Sequence, residues 1–398
     1  MHQHNNSVSQ ALSFSGSSSN PCIYIGICGS CQLGSMNYEE QLNRKTKHHI
    51  GNFSNLYKGE FEFFTSPPLG FRSRAEFKLY HHDGGLSYAM VDINKNYLQI
   101  NSCQIVNIQI QNIMPRLLEK LNNDEILKRK VFMAEFITSE DEILVTLAYH
   151  KKLDDQWITK AKTVSDDLNI KIIGRSRGQK IVLSEDFITH KFTINDNQFK
   201  IIQKEAAFSQ PNRYMNTKMV SWVLNNVEAK GDLCELYCGG GNFTLPLSTK
   251  FDKVLATEIS KASIASAKES CELNNINNIE FIRMSSEEFT SALKREREFN
   301  RLKDVDLSKY SFSKNIQHST FNIQNSTIFV DPPRAGLDTG TTELVRNFDV
   351  IAYISCNPET LYRDLQSLST THKIVKFAFF DQFVWSEHIE SGAILIRK

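Results

Sequence analysis

Hydrophobic positions in the first half of the chain fall in short runs whose spacing favours β-strands. This pattern extends from residue 57 to about residue 204, and only the stretches 113–121 and 157–167 show the longer periodicity of helices. Many strands with few connecting helices are typical of an α+β domain. The predicted strands are 71–80, 86–91, 130–136, 143–150, 170–173 and 191–201.

From about residue 208 onwards, predicted strands alternate with predicted helices. Gln210-Pro211-Asn212 has the composition of a helix start and leads into the periodic segment 215–227. This order predicts a doubly wound, mostly parallel sheet, which a polar surface loop over 294–327 interrupts. The further strands are predicted at 233–238, 253–257, 279–283, 328–330, 350–354, 374–379 and 393–396, and the further helices at 260–274 and 285–293.

The first 21 residues are rich in Ser, Asn and Gln and are predicted to be a disordered tail rather than a secretory signal. No stretch approaches the ~18 apolar residues of a membrane span. We therefore expect a cytoplasmic protein with reduced thiols, no membrane partner and no evident obligate protein partner. The predicted organisation is a tail (1–21), a cysteine-rich and helical segment (22–56), an α+β domain (57–205) and an α/β domain (206–398).

The amino-acid composition excludes few classes of protein or partner. The chain has 398 residues, of which 40% are hydrophobic and 23% charged, as in ordinary soluble proteins with well-buried cores. The formal net charge of +1 does not by itself indicate a nucleic-acid partner. A local basic surface is compatible with that balance.

A glycine-rich turn, Gly239-Gly240-Gly241-Asn242, follows the predicted strand 233–238 and precedes a helix. Glycines let a ligand approach the backbone closely, although such a turn alone is a weak signal. Glu258 ends the next strand, about 20 residues further on, where a carboxylate typically binds ribose hydroxyls. The third glycine of the NAD pattern is missing, so the site favours S-adenosylmethionine, which has no pyrophosphate.

The segment Asp331-Pro332-Pro333-Arg334 follows another predicted strand. Asp-Pro-Pro forms turns in many proteins, but here Asp331 can also accept hydrogen bonds from a cofactor or a base. Enzymes that methylate amino groups of bases favour an aromatic residue directly after the two prolines. Arg334 occupies that place, which argues against N-methylation of adenine or cytosine.

Cys356 follows the predicted strand 350–354 and precedes a helix-like segment, a position where a ligand crevice opens in an α/β sheet. Most cysteines are small buried hydrophobic residues. A helix N-terminus lowers a thiol pKa, however, so Cys356 is predicted to be a nucleophile. Glu390 is the predicted base, with Glu387 and His388 as competitors that spacing alone does not separate.

A thiol and a carboxylate together suit methylation of a pyrimidine carbon. Uracil C5 is too weak a nucleophile to attack a methyl sulfonium directly, and thiolate addition at C6 turns the base into an enolate that carries charge at C5. A base must then remove the C5 proton so that the thiol can leave.

From about residue 38 onwards the chain resembles the bacterial tRNA (uracil-5-)-methyltransferases of the RNA 5-methyluridine methyltransferase family. The resemblance implies a Rossmann-like class I S-adenosylmethionine-dependent methyltransferase domain preceded by a smaller α+β RNA-binding domain. It rests on Arg74-Ala75-Glu76-Phe77, Tyr149-His150-Lys151-Lys152-Leu153-Asp154-Asp155, Gln210-Pro211-Asn212, Glu235-Leu236-Tyr237-Cys238-Gly239, Ala256-Thr257-Glu258-Ile259, Phe329-Val330-Asp331-Pro332-Pro333-Arg334, Ile354-Ser355-Cys356-Asn357-Pro358-Glu359-Thr360-Leu361, Phe380-Asp381-Gln382-Phe383 and His388-Ile389-Glu390.

The same resemblance implies roles for individual residues and a substrate. Cys356 is implied to be the nucleophile and Glu390 the proton acceptor, while Phe132 and His150 are implied to contact RNA. The implied substrate is the T-loop uridine of tRNA, which has to leave its loop to reach the thiol. The residues implied to line the S-adenosylmethionine site are Gln210, Tyr237, Asn242, Glu258 and Asp331.

One feature departs from the tRNA branch. Cys22, Cys28 and Cys31, with the separate Cys103, resemble the [4Fe-4S] arrangement of the sister branch that acts on ribosomal RNA. A zinc site and relic cysteines are the alternatives. The feature makes 23S ribosomal RNA the second candidate substrate, although no small β-barrel RNA-binding domain precedes the cysteines.

The prediction is therefore an S-adenosylmethionine-dependent RNA uracil-C5-methyltransferase that acts on tRNA. Two other classes remain open at this point. A non-catalytic RNA-binding or folding factor would not need Cys356 and Glu390 together, and a cluster-bearing redox protein would not need the cofactor motifs.

Overall fold

The computed structural model describes residues 21–294, 296–313 and 326–398. The strands are β1 (Phe61–Phe64), β2 (Arg74–His82), β3 (Gly85–Val91), β4 (Tyr97–Ile100), β5 (Val131–Thr138), β6 (Ile143–Tyr149), β7 (Lys171–Ser176), β8 (Gln179–Val182), β9 (Phe187–Ile194), β10 (Asn197–Lys204), β11 (Asp232–Leu236), β12 (Val254–Thr257), β13 (Ile279–Ile282), β14 (Ser326–Val330), β15 (Val350–Ser355), β16 (His372–Phe380) and β17 (Glu390–Arg397). The α-helices are α1 (Tyr38–Phe53), α2 (Ile108–Asn122), α3 (Glu125–Lys128), α4 (Asp155–Leu168), α5 (Arg213–Asn226), α6 (Thr244–Leu247), α7 (Lys261–Asn274), α8 (Ser286–Leu293), α9 (Thr339–Val345) and α10 (Pro358–Leu368).

The larger sheet of the described residues has eight strands in the order β1-β16-β17-β15-β14-β11-β12-β13. Strands β11 to β15 are parallel to their neighbours in this set, and β17 lies antiparallel between β15 and β16. Helices α6 to α10 connect the strands from β11 to β16, which confirms the doubly wound, Rossmann-like architecture predicted for this half. The carboxyl ends of β11, β12, β14 and β15 therefore meet at one edge, where such sheets place their ligand crevice.

The smaller sheet of the described residues has seven strands in the order β4-β3-β2-β5-β6-β7-β8. Its neighbours are antiparallel except for β6 and β7, which run parallel because α4 connects them. Helices α2 and α4 supply apolar side chains to its core, including Leu117 and Trp157, which are fully buried. The α+β prediction for this half is confirmed.

The predicted single strand 191–201 is wrong, because the chain turns back on itself there. Asn195 and Asp196 both have positive φ angles, 47° and 66°, and form the tight turn between β9 and β10. Asn and Asp tolerate this conformation better than most residues, so the turn signal was present in the sequence. The hairpin is fixed to α7, for example by the Ile202 N–H that donates to Ser270 Oγ at 2.9 Å.

Residues before the seven-stranded sheet contribute to the eight-stranded one. Strand β1, which the predicted boundary at residue 57 assigns to the α+β part, pairs in parallel with β16 at the edge of the larger sheet. Helix α1 packs beside it and buries Leu42 and Phe53 in the same core. The domain limits remain predictions.

The expectation of a polar surface loop over 294–327 is wrong where the structure describes it. Tyr310 and Phe312 are buried against the core of the larger sheet, with stacked rings 5.2 Å apart. The Tyr310 hydroxyl donates to Glu280 at 2.8 Å, which satisfies its polar end. The polar surroundings of these two aromatic residues concealed their burial. Residue 295, residues 314–325 and the predicted tail over 1–20 lie outside the described residues.

Across the described ranges, no helix combines the length and apolar character needed to cross a membrane.

A candidate active site at the carboxyl edge of the eight-stranded sheet

A crevice of about 680 Å³ opens at the carboxyl edge of the eight-stranded sheet. Its walls come from the residues that follow β11, β12, β14 and β15 and from the start of β17. Seven of the residues predicted for catalysis and cofactor binding line it, namely Gln210, Tyr237, Asn242, Glu258, Asp331, Cys356 and Glu390. Sequence positions up to 180 residues apart thus meet in one site, as the strand order requires.

Strand register places Cys356 beside Glu390. Strands β15 and β17 are antiparallel, and their last pair is Ser355 with Ser391. One further step along both chains brings Cys356 opposite Glu390, a separation at which side chains of neighbouring strands touch. Glu390 is the first residue of β17 and is only 3% exposed, whereas Cys356 is half-buried.

The two competing bases lie elsewhere. Glu387 is exposed and forms an ion pair with Arg44 of α1 at 2.6 Å. His388 is exposed as well, and neither residue lines the crevice. The geometry therefore favours Glu390, because it alone of the three is enclosed with the thiol.

Burial governs the ionisation of the carboxyl groups in the crevice. It raises the pKa of Glu390 to about 8, and the nearby Asp331 adds to that effect while Arg334 opposes it. Burial also raises the pKa of Asp331 to about 7. Glu235, which the sequence analysis did not assign to the site, has its pKa raised to about 8 by burial and by Asp331. Groups with such values can gain or lose a proton near neutral pH.

The expected lowering of the Cys356 pKa is wrong for the protein alone. The thiol pKa is raised to about 11, chiefly by burial and also by the charges of Glu390 and Asp331, while Arg334 opposes this rise. Helix α10 does begin directly after Cys356, but its first turn is capped by Asn357, whose side chain accepts the Glu359 N–H at 3.1 Å. Burial, with a smaller contribution from the two adjacent carboxyl groups, outweighs what remains of the helix effect.

The glycine-rich turn leaves room for a ligand. A β-carbon at Gly239 or Gly240 would meet no atom within 4 Å, so the backbone at both positions faces open space. Glu258 supports this turn, since its carboxylate accepts the Gly239 N–H at 3.1 Å and the Ser260 N–H at 2.7 Å. Each carboxylate oxygen has a further lone pair with which to bind hydroxyl groups.

Two of the predicted cofactor residues are held by partners that the sequence analysis missed. Asn242 exchanges two amide hydrogen bonds of 2.8 Å with the buried Asn216. Gln210 Oε1 accepts a hydrogen bond of 2.5 Å from Nε2 of the buried Gln382. Gln382 lies in the Phe380-Asp381-Gln382-Phe383 motif, which was noted only for resemblance.

The side chains that line the crevice are chemically suited to S-adenosylmethionine. Oε2 of Glu235 is buried and has no hydrogen-bond partner among the described residues, so it can accept from a ligand. Four carboxyl groups line the crevice, at Glu235, Glu258, Asp331 and Glu390, and such a lining suits a ligand with a cationic sulfonium and an ammonium group.

The two predicted RNA contacts lie outside this crevice, on the seven-stranded sheet. The rings of Phe132 and His150 are stacked, with centroids 4.0 Å apart and planes 10° apart. Both line a separate cavity. Their role stays a prediction.

The four N-terminal cysteines lie around one small cavity of about 90 Å³. Cys31 is buried, and Cys22, Cys28 and Cys103 are partly exposed. Among the residues that the structure describes, no three His, Cys, Asp or Glu side chains are grouped closely enough to hold a metal ion. Whether these cysteines hold a cluster, a zinc ion or no metal stays a prediction.

The family model and the similar proteins of known name all indicate the same family. The family model for tRNA (uracil-5-)-methyltransferases matches residues 37–398. The tRNA/tmRNA (uracil-C(5))-methyltransferase of Aliarcobacter butzleri is 51% identical over 381 residues, covering 94% of this chain and 98% of its own length. The protein of the same name from Sulfurovum sp. is 47% identical over 382 residues, covering 95% of this chain and its own full length (100%).

A solved structure shares the fold. It is the Pyrococcus abyssi tRNA (uracil-54, C5)-methyltransferase in complex with S-adenosyl-L-homocysteine, with a TM-score of 0.68 and 22% identity. The match covers 93% of this chain and 86% of the other.

Proposed function

This chain belongs to the tRNA (uracil-5-)-methyltransferase family, and on that premise we propose that it transfers a methyl group from S-adenosylmethionine to C5 of uridine in tRNA. The observation that carries the proposal is the pairing of a thiol, Cys356, with an enclosed carboxyl, Glu390, inside one ligand crevice. The relatives whose names include tRNA and tmRNA support tRNA over ribosomal RNA.

The cofactor would bind at the carboxyl ends of β11, β12 and β14. Glu258 would accept hydrogen bonds from its ribose hydroxyls, while Gln210, Tyr237, Asn242 and Asp331 would enclose the rest of the molecule. When bound, S-adenosylmethionine supplies an electrophilic methyl group and a positive charge. A positive charge close to acidic groups lowers their pKa values.

Cys356 acts first. Its sulfur, as thiolate, forms a bond to C6 of the uracil ring, and the electron pair of the C5–C6 double bond moves towards the carbonyl at C4. The enolate that results can attack an electrophile through C5. Arg334 assists because its positive charge favours the ionised form of the thiol.

Glu390 completes the cycle. After C5 has gained the methyl group it still carries a proton, which the ionised Glu390 carboxylate removes. The electron pair released re-forms the C5–C6 double bond, and the C6–S bond breaks to return Cys356. Position supports this assignment, because Glu390 lies next to Cys356 and the exposed Glu387 does not.

The α+β part over 57–205 is proposed to recognise RNA, with Phe132 and His150 as contacts. Their stacked rings offer a flat surface to an unpaired base, and stacking of this kind is common in RNA recognition. The uridine must leave its loop to reach Cys356 in the crevice.

The test is to incubate the protein with labelled S-adenosylmethionine and, separately, with unmodified tRNA and ribosomal RNA, and then to map the methylated base. Label at C5 of the T-loop uridine is expected. Label found only in ribosomal RNA would mean that ribosomal RNA, and not tRNA, is the substrate. No transfer to either RNA would overturn the proposal.

The finer cofactor proposal is that Cys22, Cys28, Cys31 and Cys103 hold a [4Fe-4S] cluster. Its support is their shared cavity, since four thiolates around one space are the ligand set of such clusters. Iron and sulfide content and the visible absorbance of anaerobically purified protein test it, with Cys103→Ser as the comparison. Wild-type protein without iron or sulfide would leave zinc or relic cysteines as the explanation.

A further inference from the structure

A second cavity of about 680 Å³ lies on the seven-stranded sheet, apart from the catalytic crevice. Two chain segments form its rim. One follows β6 and contains Lys151 and Lys152, and the other is the turn between β7 and β8, which contains Arg177. The stacked rings of Phe132 and His150 form one wall.

Hydrogen bonds lock these two segments together. The Gln179 side chain accepts the Leu153 N–H at 3.0 Å and donates to the Leu153 carbonyl at 3.2 Å. Ser176 Oγ donates to the Lys151 carbonyl. The rim is therefore fixed before any ligand arrives, which reduces the entropy lost on binding.

The cationic side chains around the cavity differ in whether another group of the protein already binds them. Arg175 forms two hydrogen bonds of 2.5 Å with the carboxylate of Glu205. Lys151 donates to the Ile126 carbonyl at 2.5 Å. Lys152 and Arg177 are exposed, and neither forms an ion pair within the described part of the chain.

The segment that holds Arg175 leads along the chain to the catalytic crevice, because Glu205 directly precedes residues 206–210, which line that crevice.

We propose that Lys152 and Arg177 form a phosphate-binding subsite that holds the RNA backbone next to the base stacked on Phe132 and His150. The ligand class is the phosphodiester of the substrate RNA, so the inference rests on the proposed function. Two unpaired cations on a fixed rim, beside an aromatic stack, combine the two features that proteins use to bind single-stranded nucleic acid. The neutral net charge of the chain is compatible with such a local site.

The experiment measures the Kd of an unmodified T-arm RNA hairpin by fluorescence anisotropy over a series of salt concentrations. In the double variant Lys152→Ala/Arg177→Ala, Kd at about 0.1 M salt should rise roughly tenfold for each lost side chain. The slope of log K against log salt should become less steep by about 2. The kcat at saturating RNA should stay within about twofold of wild type, because neither side chain reaches the crevice.

Lys373→Ala is the matched control. Lys373 is exposed near the start of β16, at the end of the larger sheet opposite Phe380 and Glu390. An unchanged Kd and salt slope in the double variant would overturn the subsite, and so would a weaker Kd with an unchanged slope, or equal weakening in the control. Wild-type methylation of the same RNA is measured in parallel, so failure of the proposed function would be seen separately.

Discussion

The ammonium group of Lys45 lies 2.7 Å from Oδ1 of Asp381, and neither side chain is exposed to solvent. Lys45 also donates to the Phe383 carbonyl at 2.9 Å, and one turn earlier on α1 the Gln41 side chain accepts the Trp385 N–H at 2.8 Å. Helix α1 thus fixes the loop between β16 and β17, which leads directly to Glu390. The N-terminal part of the chain thereby supports the position of Glu390, the proposed base.

Removing one partner of this buried pair should destabilise the protein strongly. Lys45→Met leaves the Asp381 carboxylate buried and unpaired, which we expect to lower the free energy of unfolding by about 3–5 kcal/mol. Denaturant unfolding measures it. Arg44→Ala is the control, since it removes the exposed pair with Glu387 on the same helix and should cost less than about 1 kcal/mol. Equal losses in both variants would contradict this account.

Replacement of the nucleophile should separate catalysis from binding. We expect Cys356→Ala to lower methyl transfer at least about a thousandfold, because the other thiol among the described crevice residues, Cys238, is buried beside the glycine-rich turn rather than opposite Glu390. The Kd for tRNA should change little. Cys271→Ala serves as the control, because Cys271 is buried in α7 and outside the crevice lining. Substantial turnover by Cys356→Ala, measured with labelled cofactor, would rule out covalent addition through this residue.

The base is tested by trapping. In Glu390→Gln the methyl group should still reach C5, but the C5 proton stays, so the C6–S bond cannot break and the RNA remains attached to Cys356. A shifted band on a denaturing gel, dependent on S-adenosylmethionine, is the expected result. Glu387→Gln should turn over normally, since Glu387 is exposed and paired with Arg44. An adduct in Glu387→Gln instead would reassign the base.

The sequence predicted the residues that line the site better than it predicted the distant residues that hold them in position. Cys356, Asp331 and Glu390 each stand at a strand end, and strand order alone brings such positions together. Lys45 and Asp381 are 336 residues apart, and Gln382 and Gln210 are 172 apart. Hydrophobic periodicity says which face of an element is buried, but it does not say which distant polar group meets it there.

Two errors in the predicted secondary structure also have causes in the sequence. The turn at Asn195 and Asp196 was missed because apolar residues continue on both sides of it, so that two strands looked like one. Strand β1 was missed because four residues are too short a run for alternation to show. Its partner, β16, lies more than 300 residues away.

Arg334 should set the pH dependence of the reaction. Its positive charge opposes the rise in the pKa of both Cys356 and Glu390. Both groups act as anions, so the single-turnover rate should increase with pH through the Glu390 value of about 8 and on towards the Cys356 value of about 11. In Arg334→Gln both pKa values should rise, and the rate profile should move to higher pH. A shift to lower pH, or an equal shift in Lys373→Ala, would show that Arg334 does not act through its charge.

The carboxyl groups of the crevice should make the ligand-free protein less stable at alkaline pH. Burial raises the pKa of Glu390 from 4.5 to about 8, so the folded state binds a proton that the unfolded state releases. The stabilisation from that proton is fully present below about pH 4.5 and is lost as pH rises through about 8. Glu390→Gln cannot ionise and should lose less stability between pH 5 and pH 8, with a difference from wild type on the order of 1–3 kcal/mol.

Thermal unfolding of both proteins at the two pH values measures this difference, with Glu387→Gln as the exposed control. A wild-type Tm that falls no further than that of Glu390→Gln would mean that Glu390 is already ionised in the folded protein, and its role as a base would then have to rest on position alone.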